Sequence, residues 1–451
     1  MMNNYMQESV NLNTIQTVTV VGANGTMGRN IAAIFASFGN ARVYLVSRSM
    51  EKSVVAKNKA YLSVRAESVK EKMIPSDYEH LEECVKESDL IFEVCAEDFE
   101  IKKDIHQKIA DVVKRCGGEN KVFCSGTSGL SITGLAELYP KEYRHQFMGM
   151  HLFNPPYQMT LCEMTPTKYT DRTVFDSIVE YADKVLRRTV VETADAPAFL
   201  GNRIGFQFIN EVLQLAEKYK YNGGIDYMDA IIGSFTGRSM PPLATTNFVG
   251  LDVHKAIMEN LYENTNDYAH ETFVMPEFVE KLIREGKTGR KAGAGLYQTV
   301  VHDSGVKIHQ VYDIAHDYYR EQMKYTFPFV EEMVGALHIG DYETAFRTLV
   351  ENQSAEARLC CELLLKYIIY SLNTAKELGC GMKAADDVMA AGFHWCPPLA
   401  LAEAFSAVTD FEKLCQDRLP EDIQKLVEKN QVLKELEKSD YDYRKFILAK
   451  R

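Results

Sequence analysis

The 451-residue chain has no C-x-x-C pair among its ten cysteines, so neither a zinc site nor a disulfide framework is indicated, and no metal is expected. Its vicinal pair, Cys360 and Cys361, lies in an apolar helical run, where buried free thiols suffice. No apolar run approaches the ~20 residues that span a bilayer, and the start, MMNNYMQESVNLNT, lacks the charged-then-apolar pattern of a secretory signal. The expectation is a cytoplasmic protein without a membrane partner. An excess of basic residues is missing too: the formal net charge is -12, which argues against a nucleic-acid partner while leaving room for local cation clusters.

What is present is globular. With 46% hydrophobic and 25% charged residues, the chain has the composition and length of two or three domains. QTVTVVG (16–22) is a β-branched run closed by glycine, MGRNIAAIFASFG has helical spacing, and ARVYLVSR reads as a second strand. A long basic helix is predicted from about Ser49 to Met73, then strands at DLIFEVC (89–95), KVFCSG (121–126) and QFMGMHLF (146–153), with helices between them. Alternating strands and helices imply an α/β domain with a doubly wound parallel sheet of Rossmann type.

After DAPAF (195–199) the pattern turns to amphipathic helices, and residues 299–325 read as a connector into more of them. The stretches 209–242 and 371–398 share the order helix, aspartate-containing helix start and Pro-Pro stop, which suggests a duplicated helical module. The expected division is a flexible tail (1–14), a dinucleotide-binding domain (15–197), a first helical domain (198–298) and a second (299–451).

VVGANGTMG sets Gly22, Gly25 and Gly28 at a strand-to-helix junction, with Thr26 and Met27 in the first helical turn. Such glycines let backbone N–H groups approach a pyrophosphate at the helix N-terminus, the chemistry of dinucleotide binding. At the end of the second strand, where an acid would take the ribose 2′-OH of NAD, the chain has Ser47 and Arg48. A hydroxyl and a guanidinium suit a 2′-phosphate, so NAD(P) is expected with a lean towards NADP(H); an ordinary exposed loop cation is the alternative.

GMHLFNPP (149–156) places His151 in an apolar strand, where a histidine is either packed core or a proton carrier. The glycine loop, DLIFEVCAEDFEIKKD, SGTSGLSI, GMHLFNPP, LCEM, NRIGFQFINE and GRKAGAGLY, in that order from about 16 to 298, resemble the 3-hydroxyacyl-CoA dehydrogenase family. With its duplicated helical tail, the chain is similar to the dehydrogenase portion of multifunctional fatty-acid oxidation enzymes. The resemblance implies that His151 exchanges the proton of a 3-hydroxyl and that Glu163 orients its ring. It implies that Ser128 and Asn202 bond the substrate oxygens, although each could instead cap a helix or turn. Glu97 and Lys102 fall on the family's segment near the nicotinamide, and a solvated helix face would also account for Lys102.

Two departures stand out. Gly126 replaces the asparagine usual beside the site, and the segment from Ser47 to Glu93 lacks most of the returning arm of the helical hairpin that grips coenzyme A in relatives. Ser63 and Lys70 fall where the family contacts CoA, on what could equally be a solvated face. The implied activity is reversible oxidation of a 3-hydroxyacyl-CoA by a monomer or homodimer. A free 3-hydroxy acid as substrate, as in carnitine or gulonate dehydrogenases, and a non-catalytic dinucleotide-binding protein are the rivals.

Overall fold

The computed structural model describes residues 15–302 and 304–450, so the tail expected over 1–14 lies outside the described residues. Two compact units divide between Phe199 and Leu200. In the first, an eight-stranded sheet runs in the order β3-β2-β1-β4-β5-β6-β7-β8. Its strands are β1 (Thr17–Val21), β2 (Arg42–Ser47), β3 (Met73–Asp77), β4 (Leu90–Glu93), β5 (Val122–Ser125), β6 (Phe147–Leu152), β7 (Leu161–Pro166) and β8 (Thr189–Glu192). Its helices include α1 (Thr26–Ser37), α2 (Met50–Val64), α3 (Glu67–Lys72), α4 (Leu81–Glu87), α5 (Phe99–Cys116), α6 (Ile132–Ala136) and α7 (Arg172–Glu180).

The run TVTVV is central because both of its faces are apolar. Val18 and Val20 enter one core cluster with α1 and α7, and Val21 enters the other with α4 and α5. Helices on both faces make the doubly wound architecture, with one amendment. β3 through β6 pair in parallel, whereas β7 is antiparallel to β6 and parallel to β8, so the sheet is mostly rather than wholly parallel.

The single basic helix expected over 49–73 is two helices. Arg65 takes a left-handed conformation (φ 54°) that ends α2, and the six-residue α3 then leads directly into β3. β3 itself was not foreseen: MIPSD contains Pro75, a residue tolerated here because β3 is the edge strand.

The second unit opens with α8 (Gly201–Lys218), α9 (Ile225–Ile231) and α10 (Pro242–Val249). Residues 297–321 are not a plain connector. They form an antiparallel three-stranded sheet, β9 (Tyr297–Val301), β10 (Lys307–Asp313) and β11 (Tyr318–Glu321). Among the described residues no helix is long and apolar enough to cross a membrane.

The two similar stretches carry one arrangement. Asp229 accepts the amides of Leu243 and Ala244 at 2.9 and 3.0 Å, capping α10 behind its proline. Asp386 accepts the amide of Leu399 at 2.8 Å, at the start of the helix Pro398–Ser406. Nine residues beyond each aspartate, Arg238 and Trp395 meet as an antiparallel bridge, the pairing a local two-fold produces.

Burial pushes both aspartates up to about 7. A carboxyl whose pKa is raised on folding binds a proton that the unfolded chain releases, so stability falls as pH rises between the ordinary carboxylate range and about 7. Asp386→Asn keeps an acceptor for Leu399 but cannot ionise. Between about pH 5 and about pH 7.5 the wild type should lose more Tm than this variant, by about 2–4 °C, in parallel thermal melts.

Candidate active site

The carboxyl ends of β1, β4, β5 and β6 lie on one edge of the sheet, because these strands are parallel, and the loops there carry the chemistry. At β1, Gly22 has φ +93°, and an added Cβ would stand 2.7 Å from the Val94 carbonyl oxygen. A Cβ on Gly28 would stand 2.4 Å from the Gly22 oxygen, so the loop and the first turn of α1 touch backbone to backbone. Gly25 is the N-cap of α1 and supplies no side chain. The first turn holds no acid, and Thr26 is exposed with Met27 half-buried beside it. A bare helix start behind a close-fitting glycine turn fits a dinucleotide pyrophosphate.

At β2, Ser47 and Arg48 part company. Ser47 is buried, and its hydroxyl is spent on the Ser53 hydroxyl at 2.6 Å and the Ser49 carbonyl at 3.0 Å. Through these bonds Ser47 braces the start of α2. Arg48 is exposed.

His151 and Glu163 are register partners across the antiparallel β6–β7 pair. His151 Nδ1 lies 2.9 Å from Glu163 Oε2, with Glu163 fully buried and His151 5% exposed. Phe153 and Phe199 pack on the imidazole with ring centroids at 4.5 and 5.7 Å. A carboxylate on Nδ1 fixes the tautomer with the proton on that nitrogen and leaves Nε2 as the ring atom able to accept one.

Lys102 is not on a solvated face. It is fully buried, and its ammonium lies 2.9 Å from Glu93 and 3.5 Å from Glu97. Burial alone would lower its pKa, but the carboxylates of Glu93 and Glu97 outweigh this and raise it. Glu97 Oε1 accepts the Ser128 amide at 2.7 Å and the Thr127 hydroxyl at 2.5 Å, so Glu97, Lys102 and Ser128 form one cluster. Ser128 itself is half-buried. Asn202 belongs to the second unit, buried on the first turn of α8. On α2 and α3, Ser63 is exposed, whereas Lys70 stacks over Tyr61 at 4.6 Å and pairs with Glu67 at 3.7 Å.

The sequence reading missed Glu93, His106 and Ser125, which surround Lys102. A signal for one of them, His106, was present. Lys102, Ile105, His106, Ile109, Ala110 and Val113 are all buried on α5, so a lysine and a histidine sit at helical spacing on an apolar stripe.

Residues 17–196 match the 3-hydroxyacyl-CoA dehydrogenase NAD-binding domain, and residues 199–299 match the C-terminal domain of the same family. The chain belongs to the 3-hydroxyacyl-CoA dehydrogenase family. Its first unit therefore binds a nicotinamide dinucleotide. The chain is 30% identical to the 3-hydroxybutyryl-CoA dehydrogenase of Clostridioides difficile, over 62% of this chain and 98% of that one. It is 28% identical to a probable 3-hydroxyacyl-CoA dehydrogenase of Bacillus subtilis over 80% of this chain, yet spans only 43% of that protein. A solved 3-hydroxybutyryl-CoA dehydrogenase from Escherichia coli, at 18% identity and TM-score 0.65, covers 93% of the chain and shares its fold.

Within this family Gly126 has a packing explanation. A Cβ there would lie 2.9 Å from the Phe92 ring and 3.3 Å from the Glu93 carbonyl oxygen, so the ring occupies space a side chain would need. Gly126→Asn should cost roughly 1–3 kcal/mol through overpacking. Chemical denaturation at neutral pH checks this, and an unchanged midpoint would show that Phe92 yields freely.

Proposed function

We propose that the chain catalyses reversible oxidation of a 3-hydroxyacyl-CoA to the 3-oxoacyl-CoA with a nicotinamide dinucleotide. The observation that carries the reading is the buried His151–Glu163 pair, on the same sheet edge as the glycine loop. When bound, the nicotinamide accepts or donates the hydride at C3 of the substrate. The chain's own residues handle everything else. His151 takes the 3-hydroxyl proton in oxidation and returns it in reduction, and Glu163 stabilises the imidazolium formed between those events. Ser128 holds a substrate oxygen, and buried aromatic rings beside His151 keep water from the reacting atoms.

One observation favours a second reading, a free 3-hydroxy acid as substrate. Only α2 and the six-residue α3 separate β2 from β3, and Lys70 is already engaged by Tyr61 and Glu67. Initial rates with acyl-CoAs and with the corresponding free acids, each against both cofactors, separate the two.

His151→Gln should lower kcat by ~10²–10⁴-fold while leaving reduced-cofactor affinity unchanged, because the glycine loop binds the dinucleotide separately. Glu163→Gln should lower kcat less. A wild-type rate for purified His151→Gln on a confirmed substrate would remove the proton-transfer role.

The cofactor is proposed to be NADP(H), on the strength of Arg48 alone now that Ser47 is accounted for by packing. An exposed guanidinium at the end of β2 can pair with a 2′-phosphate. Arg48→Ala should weaken NADPH about ten- to a hundredfold and barely touch NADH, as read by fluorescence titration of both. Tighter NADH binding by the wild type would make Arg48 a loop cation and the cofactor NAD(H).

A further inference from the structure

Glu93 ends β4 and is fully buried, yet it is charged. Burial alone would push its carboxyl up, but the Lys102 ammonium and the His106 ring outweigh that and hold it well below the usual carboxylate range. Its two oxygens are shared out. Oε1 accepts Lys102 Nζ at 2.9 Å and the Cys95 amide at 2.5 Å. Oε2 accepts the Ser125 hydroxyl at 2.7 Å and lies 3.2 Å from His106 Nε2. The Glu93 main-chain carbonyl also accepts the Gly126 amide at 2.7 Å.

These bonds bear on one short segment. Residues 125–128 leave β5 and end at Ser128, the proposed substrate contact. Their first half is tied to Glu93 directly, at Ser125 and Gly126. Their second half is tied to it through Lys102 and Glu97, whose carboxylate accepts from Thr127 and from the Ser128 amide. A neutral side chain at 93 would leave the buried ammonium with Glu97 as its counter-charge. Glu97 would then be drawn from the Ser128 amide towards Lys102.

We propose that Glu93 is a positioning residue for Ser128: its buried carboxylate fixes the 125–128 segment at both ends and so sets where the Ser128 hydroxyl meets substrate. This rests on the acyl-CoA dehydrogenase reading for the catalytic consequence, but the positioning itself does not need a substrate to be seen. His106 serves the same end by holding Oε2 on its side of the cluster, with Tyr139 bonding the other ring nitrogen at 3.0 Å.

The test uses the full chain and two readouts. Amide hydrogen exchange of the peptide spanning 123–131 should rise in Glu93→Gln, with exchange across the glycine loop and α1 unchanged. Ser125→Ala, a smaller change that leaves every charge in place, should raise it less, and it carries the measurement if Glu93→Gln does not fold. Unchanged protection of 123–131 in the variants that fold overturns the proposal whatever the substrate is. The second readout is a double-mutant cycle on kcat/KM for 3-oxoacyl-CoA reduction. Glu93→Gln and Ser128→Ala should each lower kcat/KM about ten- to a hundredfold, and the double variant should be no worse than Ser128→Ala alone. Multiplicative losses would mean that Glu93 acts elsewhere than through Ser128, and would overturn the proposal. A wild type inert towards acyl-CoAs would instead remove the functional reading, with the exchange result still deciding the positioning.

Discussion

The arrangement depends on the register between β6 and β7. Side chains alternate faces along a strand, so a slip of one residue would send His151 and Glu163 to opposite sides of the sheet. The reversal of direction at β7 is what allows the pair at all, since the short return through residues 153–160 brings two strands adjacent in sequence into direct opposition. Had the sheet stayed parallel throughout, the connection would have needed a crossover of a dozen or more residues. The antiparallel step thus turns a sequence separation of twelve residues into a 2.9 Å contact.

A second constraint is electrostatic. Beneath the loops of β4 and β5, the structure buries a carboxylate and an ammonium completely, at a desolvation cost that is offset only because nearly every polar atom has a partner. Such a cluster has few alternative arrangements. The turn above it inherits that definition, in a part of the sheet where loops are otherwise the least determined elements.

Legibility followed locality. β1, β2, β4, β5 and β6 could be read from their own residues, because β-branched and apolar runs between glycines and helices specify buried strands. β3 could not: five residues with a proline and polar neighbours look like a helix end, and only their place beside β2 makes them a strand. The β9–β11 sheet was hidden for the same reason, its strands being polar and largely exposed. At the site, His151 was visible as an oddity within an apolar run, and resemblance supplied Glu163. Glu93, His106 and Ser125 were not seen, because residues 93, 106 and 125 come together only when β4, α5 and β5 pack. KKDIHQK reads as a wet surface until Lys102 and His106 are found facing inward. Ser47 shows the opposite case: position at a strand end suggested a ligand, while its contact with Ser53 was not legible from that position.

The bridge between Arg238 and Trp395 has one more implication. In a symmetric homodimer the residues on the two-fold axis must meet themselves, so an arginine there would face an arginine. Here equivalent positions belong to one chain, and the guanidinium lies 4.8 Å from the Trp395 ring, with Phe208 at 4.3 Å and Tyr367 at 4.9 Å around it. Cation and aromatic ring are complementary because the two positions are different residues of one chain. Their meeting is also independent of protein concentration, since the tether supplies the effective molarity that association would otherwise demand.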